Sequence, residues 1–289
     1  MARSGFPAPS SGALLIAPPA IYALALLALP LAGVVALSFF TQDRLVIDTA
    51  PTLANYREAA AGAIYRELLG RSLGIAAAVT AVTVILAFPV AYFVSFHVPE
   101  RRKSLWLFLI TIPFWTSYLI RVFLWKVILG FNGVVNETLM NLGLIDAPIQ
   151  AILYNPTAVV VTLAHAFAPF AILPIFVSLE KIDRSLLEAS RDLGEGAVRT
   201  FVRVTLPLAT PGVTAAALIV FIPVIGDYVT PRLVGGPGGL MIANMIQTQF
   251  LRLNNAPLGA ALAVISMASV TVIALGFVLL ARRLSRGAG

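Results

Sequence analysis

Residues 188–207 read EASRDLGEGAVRTFVRVTLP, a charged island between two long apolar runs. Ser185 and Glu188 stand three residues apart, which is the spacing of a capping box and favours the start of a short helix. Gly194 can end that helix, because glycine adopts the left-handed conformation of a C-terminal cap without strain. The stretch therefore predicts a short helix with a defined end inside a polar loop.

A second short amphipathic segment follows the glycine. Its apolar side consists of Val198, Phe201 and Val202. Its basic side consists of Arg199 and Arg203. Pro207 and Pro211 then favour the first turns of a new helix, where a missing N–H group costs nothing. Residues 183–207 thus predict a helix–turn–helix unit at a membrane surface, which we call the elbow. Spacing alone leaves open a plain positively charged loop between two spans.

The elbow resembles the EAA loop of bacterial ABC-importer permeases. In that loop a Glu-Ala-small triplet is followed by a glycine, then by an aliphatic residue and Leu-Pro. The matching positions here are Glu188, Ala189, Ser190, Gly194, Val204, Leu206 and Pro207. Ser190 and Val204 depart from the commonest residues, alanine and isoleucine, but keep their size and character. The resemblance implies that these positions couple the chain to a separate ATPase subunit.

Composition identifies an integral membrane protein. Of the 289 residues, 59% are hydrophobic and only 11% are charged, and the mean hydropathy is +0.93. A soluble domain carries about 25% charged residues. The net charge of +7 is a possible sign of nucleic-acid binding, but the charges cluster at the ends of apolar runs, so membrane topology explains them better. The absence of cysteine excludes disulfides and thiolate chemistry, and two distant histidines predict no metal or other cofactor.

Six apolar stretches are long enough, or nearly so, to cross about 30 Å of hydrocarbon. They are Gly12–Phe39, Ser72–Phe96, Ser104–Trp125, Thr157–Ser178, Leu208–Ile225 and Leu258–Ala281. The first is too long for a signal peptide and predicts a retained helix. With no internal repeat and no linker, residues 1–289 predict one all-α membrane domain of about six transmembrane helices.

Lysines and arginines near the span ends predict the orientation of the chain. One side carries Arg3, Arg101, Arg102, Lys103, Lys181, Arg184, Arg191, Arg199, Arg203, Arg282, Arg283 and Arg286. The other carries Arg44, Arg57, Arg66, Arg71, Lys126, Arg232 and Arg252, several of them beside acidic residues. The richer side should be cytoplasmic, which places both termini and the elbow in the cytoplasm.

No catalytic constellation is visible in the sequence. The glycine-rich stretch Val234–Asn244 lacks the lysine and the Ser or Thr that follow the glycines of a phosphate-binding loop, so it predicts a flexible outer loop. Neither a Ser-His-Asp order nor a pair of carboxylates stands out. We therefore expect a transport subunit that is not an enzyme, with ATP hydrolysed by another polypeptide.

Two charges interrupt the apolar spans. Counting about 1.5 Å per residue puts Arg121 roughly 25 Å along the third span from Ser104, and Asp227 roughly 28 Å along the fifth from Leu208. Each charge would cost about 2.5–3.5 kcal/mol at the bilayer centre, so each should face protein or water.

Two interpretations of these charges stay open. In one, they form a structural ion pair, or Arg121 reaches the outer interface. In the other, a substrate path is lined by Trp115, Tyr118, Arg121, Asp227 and Tyr228. A carboxylate beside aromatic faces suits an organic cation.

Three further stretches, PFWTSYLIR, GDYVTPRLVGGPGG and LMIANMIQTQF, resemble the spermidine/putrescine-type permeases, the B-type subunit in particular. This resemblance implies a type I importer of the bacterial inner membrane, with two ATPase subunits, a second and paralogous permease, and a periplasmic binding protein. Polyamines are the implied cargo; other amines, opines and organic acids are the alternatives. A stand-alone secondary transporter or channel is the rival class, and it would not need an ATPase-docking elbow.

Overall fold

The computed structural model of the chain describes residues 11–44, 46–149 and 152–286, so Arg3 lies outside the described residues. The structure is almost entirely helical. Its helices are α1 (Ser11–Leu37), α2 (Ala54–Ala61), α3 (Ala63–Phe96), α4 (Glu100–Thr111), α5 (Tyr118–Ile128), α6 (Val134–Asn141), α7 (Pro156–Glu180), α8 (Arg184–Asp192), α9 (Ala197–Thr200), α10 (Leu206–Ile225), α11 (Val229–Val234), α12 (Gly236–Gly239), α13 (Ile242–Leu251) and α14 (Ala256–Arg286). A 3₁₀ turn spans Ile112–Trp115, a π-helical turn spans Phe201–Thr205, and β1 (Thr41–Asp43) pairs antiparallel with β2 (Val46–Asp48).

The expectation of about six spans is confirmed. Five helices of the described chain are long and apolar enough to cross a membrane, and a sixth span is formed if two bent halves are taken together. The five are Ile16–Leu37, Ala63–Phe96, Pro156–Glu180, Ala197–Ile225 and Ala256–Arg283.

Helices α3, α7 and α10 pack against one another and form the core of the bundle. Small side chains make this possible, because they let helix backbones approach closely where lipid supplies no hydrophobic drive. The fully buried alanines of these three helices are Ala76, Ala91, Ala171, Ala209 and Ala216. Helix α14 packs on α10 and α13, and α1 packs on α14 with most of its described side chains exposed.

The predicted third span, Ser104–Trp125, is broken rather than continuous. Pro113 lies in the 3₁₀ turn after α4, and Thr116 and Ser117 are extended, with ψ of 148° and 135°. The two halves meet at 84°. A count along one straight helix therefore does not give the depth of Arg121, and that part of the prediction was wrong.

The fifth span is longer than the predicted Leu208–Ile225. Helical structure runs without a break from Ala197 to Ile225, so the second segment of the elbow is the start of the span itself. Pro207 does not interrupt it, because the π-helical turn just before the ring widens the helix where an N–H group is missing. In that turn the N–H of Leu206 bonds to the carbonyl of Phe201.

The glycine-rich stretch Val234–Asn244 is mostly helical, contrary to the prediction of a flexible loop. Gly236 has φ of +59°, and a Cβ there would lie 2.4 Å from the carbonyl oxygen of Tyr154. Arg71 donates to the carbonyl of Pro237 at 3.1 Å, and Ser72 Oγ accepts the first N–H of α13 at 2.7 Å. The stretch is therefore fixed to both α3 and the start of α7.

Candidate functional site

The residue that caps α8, the first helix of the elbow, differs from the one predicted from the sequence. The side chain of Asp183, not Ser185, caps α8, and its Oδ1 accepts the backbone N–H of Ser185 at 3.0 Å. Aspartate caps helices as well as serine does, and Asp183 stands two residues before Ser185. This hydrogen bond lowers the pKa of Asp183 below its ordinary value. The predicted helix is present, but its first cap is the preceding acid.

The end of α8 is as predicted. Gly194 has φ of +81°, the left-handed conformation. Its N–H bonds to the carbonyl of Arg191 at 2.8 Å, and the N–H of Glu195 bonds to that of Ser190 at 3.1 Å. This pair of bonds is a Schellman motif, which turns the chain sharply after the helix.

The inside of the elbow is held by hydrogen bonds between side chains. Ser190, which is buried, contacts Thr200 Oγ1 at 3.0 Å and donates to Glu195 Oε2 at 3.1 Å. Arg203 donates to Glu195 Oε1 at 2.5 Å. The hydrogen bond from Arg203, and then that from Ser190, lower the pKa of Glu195 below its ordinary value. A small hydroxyl residue at position 190 therefore joins α8 to the helix that follows.

The outer side of the elbow is a mixed apolar and charged surface. Leu193 is 85% exposed and Val198 is 77% exposed, although contact with water is unfavourable for such apolar side chains. Glu188 and Ala189 are exposed beside them on α8. Of the remaining matched positions, Leu206 is exposed and Pro207 is half-buried at the start of α10. This surface is free to contact another protein.

A second polar site lies where α5 meets the end of α10. Tyr118 donates to Asp227 Oδ2 at 2.6 Å, and its hydroxyl also contacts Thr230 Oγ1 at 2.6 Å. Asp227 Oδ1 accepts the backbone N–H groups of Val229 at 2.9 Å and of Thr230 at 3.4 Å. We call Tyr118, Asp227 and Thr230 the outer polar cluster. Its carboxylate caps the start of α11 and also fixes α5 to that turn.

Arg121 is not a partner of Asp227. No ion pair joins the two within the part of the chain that the structure describes. Arg121 is buried, its Nη1 donates to the carbonyl of Ala166 at 3.4 Å, and its guanidinium lies 5.9 Å from the Tyr118 ring centroid. Its Nε is buried without a hydrogen-bond partner. The structural ion pair considered from the sequence is therefore wrong, and the side chain that reaches Asp227 is Tyr118.

The two remaining predicted path residues are exposed, Trp115 at 80% and Tyr228 at 43%. Tyr228 adjoins Asp227 in the chain, and its carbonyl accepts from Asn244 at 2.8 Å. Thr230 and Asn244 were not predicted from the sequence. The signal for Thr230 was its place three residues after Asp227, a spacing at which a carboxylate caps a helix start.

Comparison with known proteins identifies the class. The model of the family described as binding-protein-dependent transport system inner membrane component matches residues 85–286. The chain belongs to this family. It is therefore a multi-pass protein of the inner membrane and a transport subunit rather than an enzyme, as the sequence predicted.

The relatives narrow the class further. The chain is 39% identical over 234 residues to the spermidine/putrescine transport system permease protein PotB of Escherichia coli (strain K12), covering 81% of this chain and 84% of that protein. It is 38% identical over 232 residues to PotB of Haemophilus influenzae, covering 80% of each. It is 35% identical over 236 residues to the inner membrane ABC transporter permease protein YdcU of Escherichia coli, covering 77% and 74%.

Solved structures confirm the fold. A chain in the crystal structure of the bacterial alginate ABC transporter, in complex with its alginate pentasaccharide-bound periplasmic protein, superimposes with a TM-score of 0.71. It is 16% identical, and the match covers 94% of both chains. A chain of the inward-facing MetNI methionine ABC transporter gives a TM-score of 0.55 at 18% identity, covering 75% and 94%. The predicted type I importer permease fold is therefore confirmed.

Proposed function

We propose that this chain is the permease subunit that forms the translocation pathway for polyamines, of the spermidine and putrescine kind, in an ATP-binding-cassette importer. The observation that carries this proposal is the 39% identity to a spermidine/putrescine permease over 81% of the chain. The alginate and methionine transporters are too distant in sequence to bear on cargo, since they support the fold alone.

The chemistry of the outer polar cluster supports a cationic cargo. A carboxylate offers about four acceptor positions on its two oxygens. In Asp227, Oδ1 is used by two backbone N–H groups, whereas Oδ2 accepts only the Tyr118 hydroxyl. Because no described cation pairs with Asp227, the negative charge is available to an ammonium group. The exposed ring of Tyr228 beside it adds an aromatic face of the kind that attracts such cations.

The other path residues complete the proposed lining. Trp115 lies at the end of the 3₁₀ turn and exposes most of its ring, which suits the methylene chain between two amines. Arg121 lies 5.9 Å from the centroid of the Tyr118 ring, and its buried charge would repel an ammonium group that passed beyond Asp227. Cargo would therefore rest at Asp227 rather than enter the core of this chain.

The elbow is proposed to couple this chain to a separate ATPase subunit through Glu188, Ala189, Ser190, Gly194, Leu206 and Pro207. Buried Ser190 and the cap residue Gly194 would set the shape of the elbow, and the exposed positions would contact the ATPase. The mixed exposed surface around Leu193 and Val198 supports this role. A second, paralogous permease would supply the other wall of the pathway, and a periplasmic binding protein would deliver the cargo. In this arrangement residues 1–289 act as one domain with both termini in the cytoplasm.

The cargo is tested by reconstitution. The chain is purified with its ATPase, its second permease and its binding protein, and uptake of labelled spermidine and putrescine into proteoliposomes is measured. We expect uptake that requires both ATP and the binding protein. Unlabelled amines, opines and organic acids are then tested as competitors. Competition by an organic acid but not by polyamines would contradict the proposal.

The docking role is tested with Glu188→Lys, which reverses a charge on the exposed face of α8. The matched control is Glu137→Lys, because Glu137 is also an exposed acid on a short helix but lies outside the elbow. We expect both variants to insert normally and only the first to lose co-purification of the ATPase. Equal ATPase recovery from the two variants would show that the elbow is a loop without a docking role.

A further inference from the structure

A group of polar side chains joins four helices at the end of the bundle where the elbow begins. Glu180, the last residue of α7, accepts hydrogen bonds from Ser95 of α3 at 2.6 Å and from Lys103 of α4 at 2.7 Å. Arg184, the first residue of α8, reaches the same carboxylate at 3.4 Å. We call Ser95, Lys103, Glu180 and Arg184 the Glu180 cluster.

Arg184 holds the first turn of the elbow against α3 in two further ways. Its guanidinium lies 3.9 Å from the centroid of the Phe96 ring. The same group donates to the backbone carbonyl of Ser95 at 3.0 Å. A planar guanidinium can stack on an aromatic ring and donate from its edge at the same time. The start of α8 is therefore fixed to α3 as well as to α7.

Lys103 attaches α4 to this group through its ion pair with Glu180. It is the one buried residue of α4, whereas Leu105, Phe108 and Leu109 on the same helix are exposed. Apolar contacts also hold α4: Trp106 packs edge-on against Phe93 of α3, and Leu107 and Ile110 are partly buried against the core.

The pair between Lys103 and Glu180 is the polar attachment of α4 to α7. Lys103 also pairs with Glu100 of its own helix at 2.7 Å, and Glu180 is half-buried, so the Lys103–Glu180 pair is the one of these that joins α4 to α7. Because this pair crosses between the two helices, α4 and α7 should move together.

The far end of α4 leads to the outer polar cluster. After the 3₁₀ turn the chain bends by 84° into α5, whose first residue is Tyr118. Tyr118 donates to Asp227 at 2.6 Å. A continuous covalent and hydrogen-bonded connection thus runs from the elbow through Lys103 and α4 to the carboxylate that we propose for cargo.

We propose that the Glu180 cluster is the rigid connection that transmits displacement of the elbow to α4 and so to the outer polar cluster. Glu180 and Lys103 are then positioning residues for the coupling of ATP hydrolysis to transport. This inference rests on the proposed function only in taking the elbow as the part that the ATPase displaces. It does not depend on the identity of the cargo.

The first experiment measures whether α8 and α4 move as one body. The chain has no cysteine, so Ser185→Cys on α8 and Leu105→Cys on α4 give two unique spin-label sites in it. The complete importer, with cysteine-free partner subunits, is placed in nanodiscs, and the distance between the labels is measured without nucleotide and with ATP trapped. We expect one narrow distance distribution that is the same in both states.

Glu180→Gln is then added to the labelled complex, since it removes the charge and keeps the shape. We expect the distribution to broaden and to shift when ATP is trapped. Arg102→Gln is the matched control, because Arg102 lies on α4 next to Lys103 but is exposed, and this variant should behave as the parent does. A shift in the parent complex, or an unchanged distribution with Glu180→Gln, would overturn the proposal.

Lys103→Met and Lys103→Arg separate transmission from folding. If Glu180→Gln fails to assemble, Lys103→Met is measured in its place and must give the broadened distribution, whereas Lys103→Arg must restore the narrow one. In the reconstituted importer, cargo moved per ATP hydrolysed should fall by about fivefold or more for Lys103→Met, which is the lower range of typical coupling between sites. An unchanged ratio in a polyamine-competent importer would refute the coupling role. Failure of the parent to move polyamines would instead reject the proposed cargo and leave the label distances as the test.

Discussion

Gly212→Ala tests the close crossing of α7 and α10, the two helices that the elbow joins. A Cβ at position 212 would lie 2.4 Å from Ser178 Cβ and 2.6 Å from the carbonyl oxygen of Pro174. Carbon atoms in ordinary contact are about 3.5–4.0 Å apart. The helices must therefore separate by roughly 1 Å or more at this point to accept one methyl group.

The expected cost is about 1–3 kcal/mol, the usual result of forcing extra atoms into a packed interior. Alanine also gains about 0.8–1.0 kcal/mol over glycine in a helix, which offsets part of that cost. Gly74→Ala in α3 measures the gain alone, because nothing lies within 4 Å of a Cβ placed there. The two variants should therefore differ by about 1–3 kcal/mol, with Gly212→Ala the less stable.

The assay is apparent thermal unfolding of the purified chain in detergent at a fixed scan rate, because unfolding of such proteins is often irreversible. Domains of roughly 150–250 residues change their midpoint by about 2–4 °C per kcal/mol, so the two variants should differ by several degrees. Adding Ser178→Gly to Gly212→Ala should recover part of the loss, since it removes the nearer of the two clashing atoms. A midpoint for Gly212→Ala equal to that of Gly74→Ala would refute the close crossing.

Three further outcomes are expected. Asp227→Asn should keep the yield of the complex, since an amide oxygen can still cap α11. It should raise the KM for polyamine uptake by about 10-fold or more, because a charged hydrogen bond is lost. An unchanged KM would exclude Asp227 from the path. Gly194→Val should lower ATPase recruitment, because a β-branched residue is strained at φ of +81°, and pull-down of the ATPase checks this. Gly236→Ala should reduce the yield of folded complex, measured by size-exclusion chromatography, because its Cβ would meet the Tyr154 carbonyl at 2.4 Å. Gly143→Ala is the matched control, with φ of +67° but open space around it, and equal yields would contradict the clash.

Local signals in the sequence predicted the parts of the fold that depend on neighbouring residues. The apolar runs predicted the spans because each must cover the same hydrocarbon thickness. Gly194 predicted the end of α8 because a left-handed cap demands little more than the absence of a Cβ. Local signals also predicted the start of α8 close to its true position. They did not identify Asp183 as the residue that caps it.

Features that depend on distant parts of the chain could not be predicted in this way. Arg121 and Asp227 carry opposite charges and suggested a pair, but the side chain that donates to Asp227 is Tyr118, 109 residues away in the chain. Lys103 and Glu180 are 77 residues apart, and each follows an apolar run, which is an ordinary position for a charged residue. Only the fold of the whole bundle brings α4 close to the end of α7.

Because of the π-helical turn at Phe201–Thr205, the orientation of the elbow depends on the number of residues in that turn. A π-helical turn is equivalent to one residue inserted into an α-helix, and each α-helical residue turns the chain by about 100° and advances it by about 1.5 Å. Deleting one residue from this turn would rotate everything before it relative to α10, and would carry Arg203 away from Glu195 without altering either side chain. Comparisons between relatives should therefore treat a single-residue gap here as a change of geometry, as consequential as a substitution in the elbow itself.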